Sequence, residues 1–135
     1  MRIYLILFLL IPVLAFSQNK LNIEVMGVPE SEGNIRVAIY DTSETFLSHE
    51  HVFKSESTVA KKGKTELSID DLPDGEFAIA LYHDVNGNDE LDTNWLGIPK
   101  EAVGFSNAKM KTFGPPKFKE CAFKMQSVTE IQIAL

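Results

Sequence analysis

The sequence has a single cysteine, Cys121, among 135 residues. No intrachain disulfide can form, so an apolar core must hold the fold. "ECAFKM" sets that thiol beside Ala122 and Phe123, the setting of a buried, inert cysteine rather than a nucleophile. Basic charge is also short. Thirteen Lys and Arg stand against 19 Asp and Glu, a formal charge of −6. The densest basic run, "KKGK" at 61–64, reads as a solvated hairpin turn. Nucleic acid and anionic membranes are therefore poor partners. Internal repeats, low-complexity tracts and long amphipathic helical patterns are missing too, which excludes solenoids and helix bundles.

Long apolar runs are confined to one, Ile3–Phe16. It follows Arg2, and Ala15 and Ser17 supply the small residues of a cleavage site. This is the pattern of a secretory signal peptide cut between Ser17 and Gln18. The run is shorter than the ~20 residues a spanning helix needs. No cysteine at the cleavage site invites a lipid anchor. The expectation is a signal peptide over 1–17 and one domain over 18–135. That domain would be periplasmic or secreted, with no transmembrane segment.

What is present is alternation. "LNIEVMGV", "NIRVAIYD", "VFKSESTVA", "TELSIDDL" and "VTEIQIAL" each set apolar residues at every second position, the period of a half-buried strand. "PESEG" and "LPDG" supply turns between them. "EFAIALYHD" is apolar on both faces, with Phe77, Ile79 and Leu81 opposite Ala78, Ala80 and Tyr82, so it belongs in the middle of a sheet. Phe46 and Leu47 read as a plug under the connection before His49. The pattern predicts an all-β fold, a single antiparallel β-sandwich of about seven strands. A long structured loop, Asp84 to about Lys119, follows the central strand, with one helical turn in "PPKFKECAF".

The loop opens on "HDVNGNDELDTNWLGIPKE", residues 83–101, and two readings of it stand open. Counting from Asp84, the residues Asp84, Asn86, Asn88, Glu90 and Asp92 fall at positions one, three, five, seven and nine. Glu90 would contribute its backbone carbonyl. Ca²⁺ needs several oxygen ligands at about 2.3–2.6 Å, and a period of two can collect them. An EF-hand also wants glycine at position six and glutamate at twelve. Here those positions hold Asp89 and Trp95, and a strand rather than a helix enters. Water, Asn94 or an acid elsewhere would have to complete the shell, so affinity should be weak, on the order of 10⁻⁴–10⁻³ M. The competing reading is an Asn-Gly turn whose Asp and Asn side chains cap their own backbone. It explains Asn86–Asn88 well and Asp92 and Asn94 less well, so the cation reading is taken as the expectation.

The wider stretch "LPDGEFAIALYHDVNGNDELDTNWLGIPKEAVGFSN", followed by "FGPPKFKECAF", resembles the bacterial domain-of-unknown-function family 2141. The resemblance rests on His83-Asp84, Asn86 to Asn94, Gly97 to Glu101, Gly104 to Asn107 and Phe113 to Pro116. Val103, where many members carry an aromatic, departs from the pattern. The resemblance covers nearly all of 18–135. It implies an exported β-sandwich similar to transthyretin-like (prealbumin-like) or carboxypeptidase regulatory-like domains, and it brings no activity.

Other candidates have plain alternatives. His83 is either a ligand or base oriented by Asp84, or a histidine hydrogen-bonding the loop; the second is favoured. Ser106 in "GFSN" lacks the G-x-S-x-G elbow, so a hydrolase using His83, Asp84 and Ser106 is only the alternative function. His49 and His51, spaced i and i+2, would share a face on a strand and could hold a transition metal, or they are exposed loop histidines; the second is favoured. Trp95, Phe105 and Phe113 offer an aromatic platform or the loop's own small core, and the second is favoured. The expected function is non-enzymatic, with no catalytic residues. It would be a binding or structural module whose loop takes weak Ca²⁺. His83, Asn94, Trp95, Phe105, Ser106 and Phe113 are its candidate surface for a cell-envelope protein or a glycan.

Overall fold

The computed structural model describes residues 19–126 and 128–135. The expected signal peptide and its cleavage site lie outside the described residues. Eight strands appear among the described residues: β1 Asn19–Val28, β2 Asn34–Tyr40, β3 Lys54–Val59, β4 Gly63–Leu72, β5 Gly75–Asp84, β6 Val103–Phe105, β7 Phe123–Met125 and β8 Val128–Ala134. One helical turn, α1, covers Phe118–Cys121. No helix among the described residues is long and apolar enough to cross a membrane.

The strands form two packed sheets, an all-β sandwich. One sheet has the order β4-β1-β8, and the other β3-β2-β5-β6, with β7 pairing the start of β5. The alternation does the sorting. Leu21, Ile23 and Val25 of β1 face Ile35, Val37 and Ile39 of β2 and Phe77, Ile79 and Leu81 of β5 across one buried cluster of 15 residues. Burying each such aliphatic or aromatic side chain contributes about 1.5–3 kcal/mol, so this layer dominates stability.

The pairing departs from a purely antiparallel sheet. β1 and β8 run parallel, with Leu21 opposite Thr129 and Val25 opposite Ile133. Three expected turns are corners instead. β1 and β2, β3 and β4, and β4 and β5 each lie in different sheets, so "PESEG", "KKGK" and "LPDG" carry the chain across the sandwich. A turn residue sets where the chain bends, but packing of the two faces decides which strand it then pairs with.

β5 is central and apolar on both sides, as its sequence predicts. Its outer face, through Ala78, joins Tyr40, Phe105, Phe118 and Cys121 in a second cluster, with Phe46 and Leu47 packed against it. Phe46 meets Tyr40 and Phe118 edge to face at 5.3 and 5.8 Å. Cys121 is fully buried, and burial pushes its thiol up to about 11, with the Glu120 charge adding to it. Gly104 is where β6 meets β8. A Cβ there would lie 2.7 Å from Ile133 Cγ2 and 3.0 Å from the Ala134 carbonyl.

Candidate functional site

The loop leaves β5 at Asp84, and a neighbouring strand supplies its anchor. Arg36 alternates with Ile35 and Val37 on β2, so it points to the outer face. Pairing of Asn34 with Asp84 and of Arg36 with Tyr82 puts Arg36 diagonal to Asp84. Arg36 Nε donates to Asp84 Oδ2 at 2.8 Å, and Arg36 Nη2 pairs with Asp89. The Asp84 side chain is wholly buried, while that of Arg36 keeps 29 % exposure. Burial alone would raise the Asp84 pKa. The Arg36 hydrogen bond, the backbone amides of Asp89 and Asn88 and the guanidinium charge outweigh it and hold the carboxyl below 3.8. The same surroundings push Tyr82 up to about 12, burial first and the Asp84 charge second.

Those amides reach Asp84 because the loop doubles back. Asp84 Oδ1 accepts from Asn88 N at 3.2 Å, and Oδ2 accepts from Asp89 N at 3.0 Å. Asp89 has φ +68 and Gly87 φ +70. Asp89 therefore takes the left-handed conformation that an EF-hand reserves for glycine at its sixth position. Gly33, at φ +67 in the β1–β2 corner, abuts the loop's start. A Cβ there would lie 2.0 Å from the Asp84 carbonyl.

The other ligand-parity residues converge on one another. Asn86 Oδ1 accepts from Asn88 N at 3.2 Å, and Asn88 Oδ1 accepts from Glu90 N at 3.1 Å. The two amide nitrogens then donate to Asp92, from Asn86 to Oδ2 at 2.6 Å and from Asn88 to Oδ1 at 2.9 Å. Asn86, Asn88 and Asp92 thus share one side of the loop, each with its oxygens engaged by protein donors. The Glu90 residue is exposed. Among the described residues, no three His, Cys, Asp or Glu side chains group at metal-binding range.

Glu101, in "GIPKE", was missed as a site residue. Its Oε1 accepts from Val85 N at 3.2 Å and its Oε2 from Asp92 N at 3.1 Å, tying both ends of the acidic stretch. Beyond Asp92 the chain forms a tight tip. Asn94 Oδ1 accepts from Leu96 N at 2.9 Å and from Ile98 N at 3.0 Å, and Asn94 N donates to the Ile98 carbonyl at 2.9 Å. The apolar side chains on that tip are left in solvent: Trp95 is 90 % exposed, and Leu96 and Ile98 are also exposed.

The remaining candidates divide sharply. Phe105 is buried in the second cluster, but Trp95 and Phe113 are exposed, so the expected small aromatic core holds only for Phe105. A tight turn leaves the side chains at its tip nothing to pack on. His83 is fully buried on the opposite face of β5 from Asp84, and its Nε2 donates to the Glu32 carbonyl at 2.6 Å. It therefore bonds the β1–β2 corner; only its backbone N–H reaches the loop, at Ala102 O, 2.9 Å. His83 Nδ1 is buried without a partner among the described residues. Ser106 Oγ is buried, donates to the Cys121 carbonyl at 2.6 Å and accepts from Ile79 N at 2.9 Å. His49 and His51 sit on a 3₁₀ turn rather than a strand, so they do not share a face.

No curated protein and no solved structure matches the chain. A family does, described as "Uncharacterized protein conserved in bacteria (DUF2141)", over residues 23–132. That span includes β2, β5, the Asp84–Glu101 loop and α1, and the chain belongs to this family.

Proposed function

We propose that the chain is an exported, non-enzymatic binding module of the bacterial cell envelope. Its preformed 84–101 loop presents Trp95, Leu96 and Ile98 to a protein or glycan partner. The observation that carries the reading is an exposed tryptophan on a tip stiffened by Asn94 and tied, through Glu101 and Asp84, to the sheet. Ordering that is complete before binding lowers the entropic cost of association. The non-enzymatic part is supported by Ser106 and His83 each bonding a different backbone carbonyl, and by a thiol pushed up to about 11. Export is supported by the Arg2–Ser17 pattern.

Trp95 is the chain's one tryptophan and reports on its own tip. Envelope proteins and glycans freed of lipid should shift its emission to the blue. Trp95→Ala should abolish retention on that material while melting as the parent does. Unchanged retention of Trp95→Ala would reject the reading.

A second reading is weak Ca²⁺ binding by the same loop, favoured by the convergence of Asn86, Asn88 and Asp92. A ligand that binds only the folded state must raise its melting temperature. Equal midpoints in millimolar calcium and in chelator would remove it.

A further inference from the structure

A second projecting turn lies outside the acidic loop. Lys111 and Gly114 pair across a two-residue turn, with Lys111 N to the Gly114 carbonyl at 2.9 Å. Phe113 stands at its tip, fully exposed at 101 %. The base of the turn is fixed: Ala108 pairs with Phe105 of β6, and Pro116 and Phe118 are buried. Lys109 and Lys111 precede Phe113 and Lys117 and Lys119 follow it, all exposed, with no acidic residue between 108 and 119. Lys111 pairs with Glu120 at 2.5 Å, and the other three carry no ion pair among the described residues. Met110 is exposed beside them. In a chain of formal charge −6, whose overall composition argues against anionic membranes, this is a local basic segment carrying a bare aromatic.

We propose that the Lys109–Lys119 turn docks on an anionic phospholipid bilayer, with Phe113 entering the headgroup boundary and the lysines lying against lipid phosphates. Charge favours that occupant, because the acidic remainder of the chain turns the basic segment toward a negative surface. Shape favours it as well. Phe113 projects from a convex turn, which a bilayer accepts without a complementary pocket, and lysine stems can lie along the interface with their ammonium groups in water. The acidic stretch below Trp95 gives that other tip the opposite preference.

The test uses the full chain, in the form recovered from the expressing cell, and vesicles of phosphatidylcholine with and without phosphatidylglycerol. Binding should require phosphatidylglycerol and fall at high salt. Each of Lys109→Glu, Lys117→Glu and Lys119→Glu should weaken it by about fivefold or more. Phe113→Ser should weaken it by about tenfold with unchanged melting. A Trp95→Phe, Phe113→Trp chain carries a single tryptophan at the tip, and brominated lipid should quench it only in anionic vesicles. Absence of quenching overturns the proposal, as does binding that survives both Phe113→Ser and the lysine reversals. A chain that doubles its mass in solution and becomes monomeric with Phe113→Ser, without vesicle binding, would make this face an interface between copies instead.

Discussion

Trp95 and Phe113 both stand in solvent at the tips of tight turns, yet the two turns are built on different foundations. The Trp95 tip ends a loop held by Asn94 within the tip, by Glu101 on the Val85 and Asp92 amides, and by Asp84 on the Arg36 guanidinium of β2. Its start is anchored by a half-buried charge pair formed between residues 48 apart in sequence. The Phe113 tip rests on two backbone bonds between Lys111 and Gly114 and on buried neighbours. A long polar loop needs an electrostatic anchor to hold one shape, whereas a two-residue turn holds itself.

Substitutions can separate the two. The largest effect is expected of Gly33→Ala, which forces a Cβ into the Asp84 carbonyl at a left-handed φ. About 3 kcal/mol should be lost in urea unfolding. Arg36→Met leaves the buried Asp84 carboxylate without its cation. It should cost about 2–3 kcal/mol and loosen residues 84–101 while leaving amide exchange at Lys111 and Gly114 unchanged. Loosening of both turns together would show that they share one foundation.

Acid sharpens it. The folded pKa of Asp84 lies below 3.8, so this group contributes stability that is present above its unfolded pKa and is lost as pH falls through the folded one. Arg36→Met raises that folded pKa, so its acid unfolding, followed by circular dichroism, should begin at higher pH than the parent's. A smaller loss, about 1 kcal/mol, is expected of Asp92→Ala, which removes the acceptor of the Asn86 and Asn88 amides. Trp95→Ala and Phe113→Ser should change stability by no more than about 0.5 kcal/mol, since neither side chain packs on the core.

The strands were legible because burial writes a period of two into them. Ile35, Val37 and Ile39 announce β2, and the doubled face of β5 announces its central place. Sheet membership was not legible, since "PESEG" and "KKGK" encode bends and the partner strand is chosen by packing far away. In the site, the Asx turns at Asn86 and Asn88 follow from local chemistry, and they match the competing turn reading of the loop rather than the cation reading taken as the expectation. Alternation placed Arg36 on the outer face, but nothing near it in sequence pointed to Asp84. Glu101 carried a signal in "GIPKE" with no partner named. Trp95 and Phe113 read as core because large aromatics usually are; only the backbone reveals that each sits on a tip. The lysines at 109–119 are spread over odd intervals, and the sequence does not show the turn between Lys111 and Gly114 that they flank.

The claim that the loop is ordered by its own anchor is tested most directly by hydrogen exchange at the Asn88 and Asp89 amides, measured in chelator. Both donate to Asp84, so slowed exchange is expected in the parent chain and fast exchange in Arg36→Met. Unprotected amides in the parent until calcium is added would contradict it, and the loop would then owe its shape to a cation.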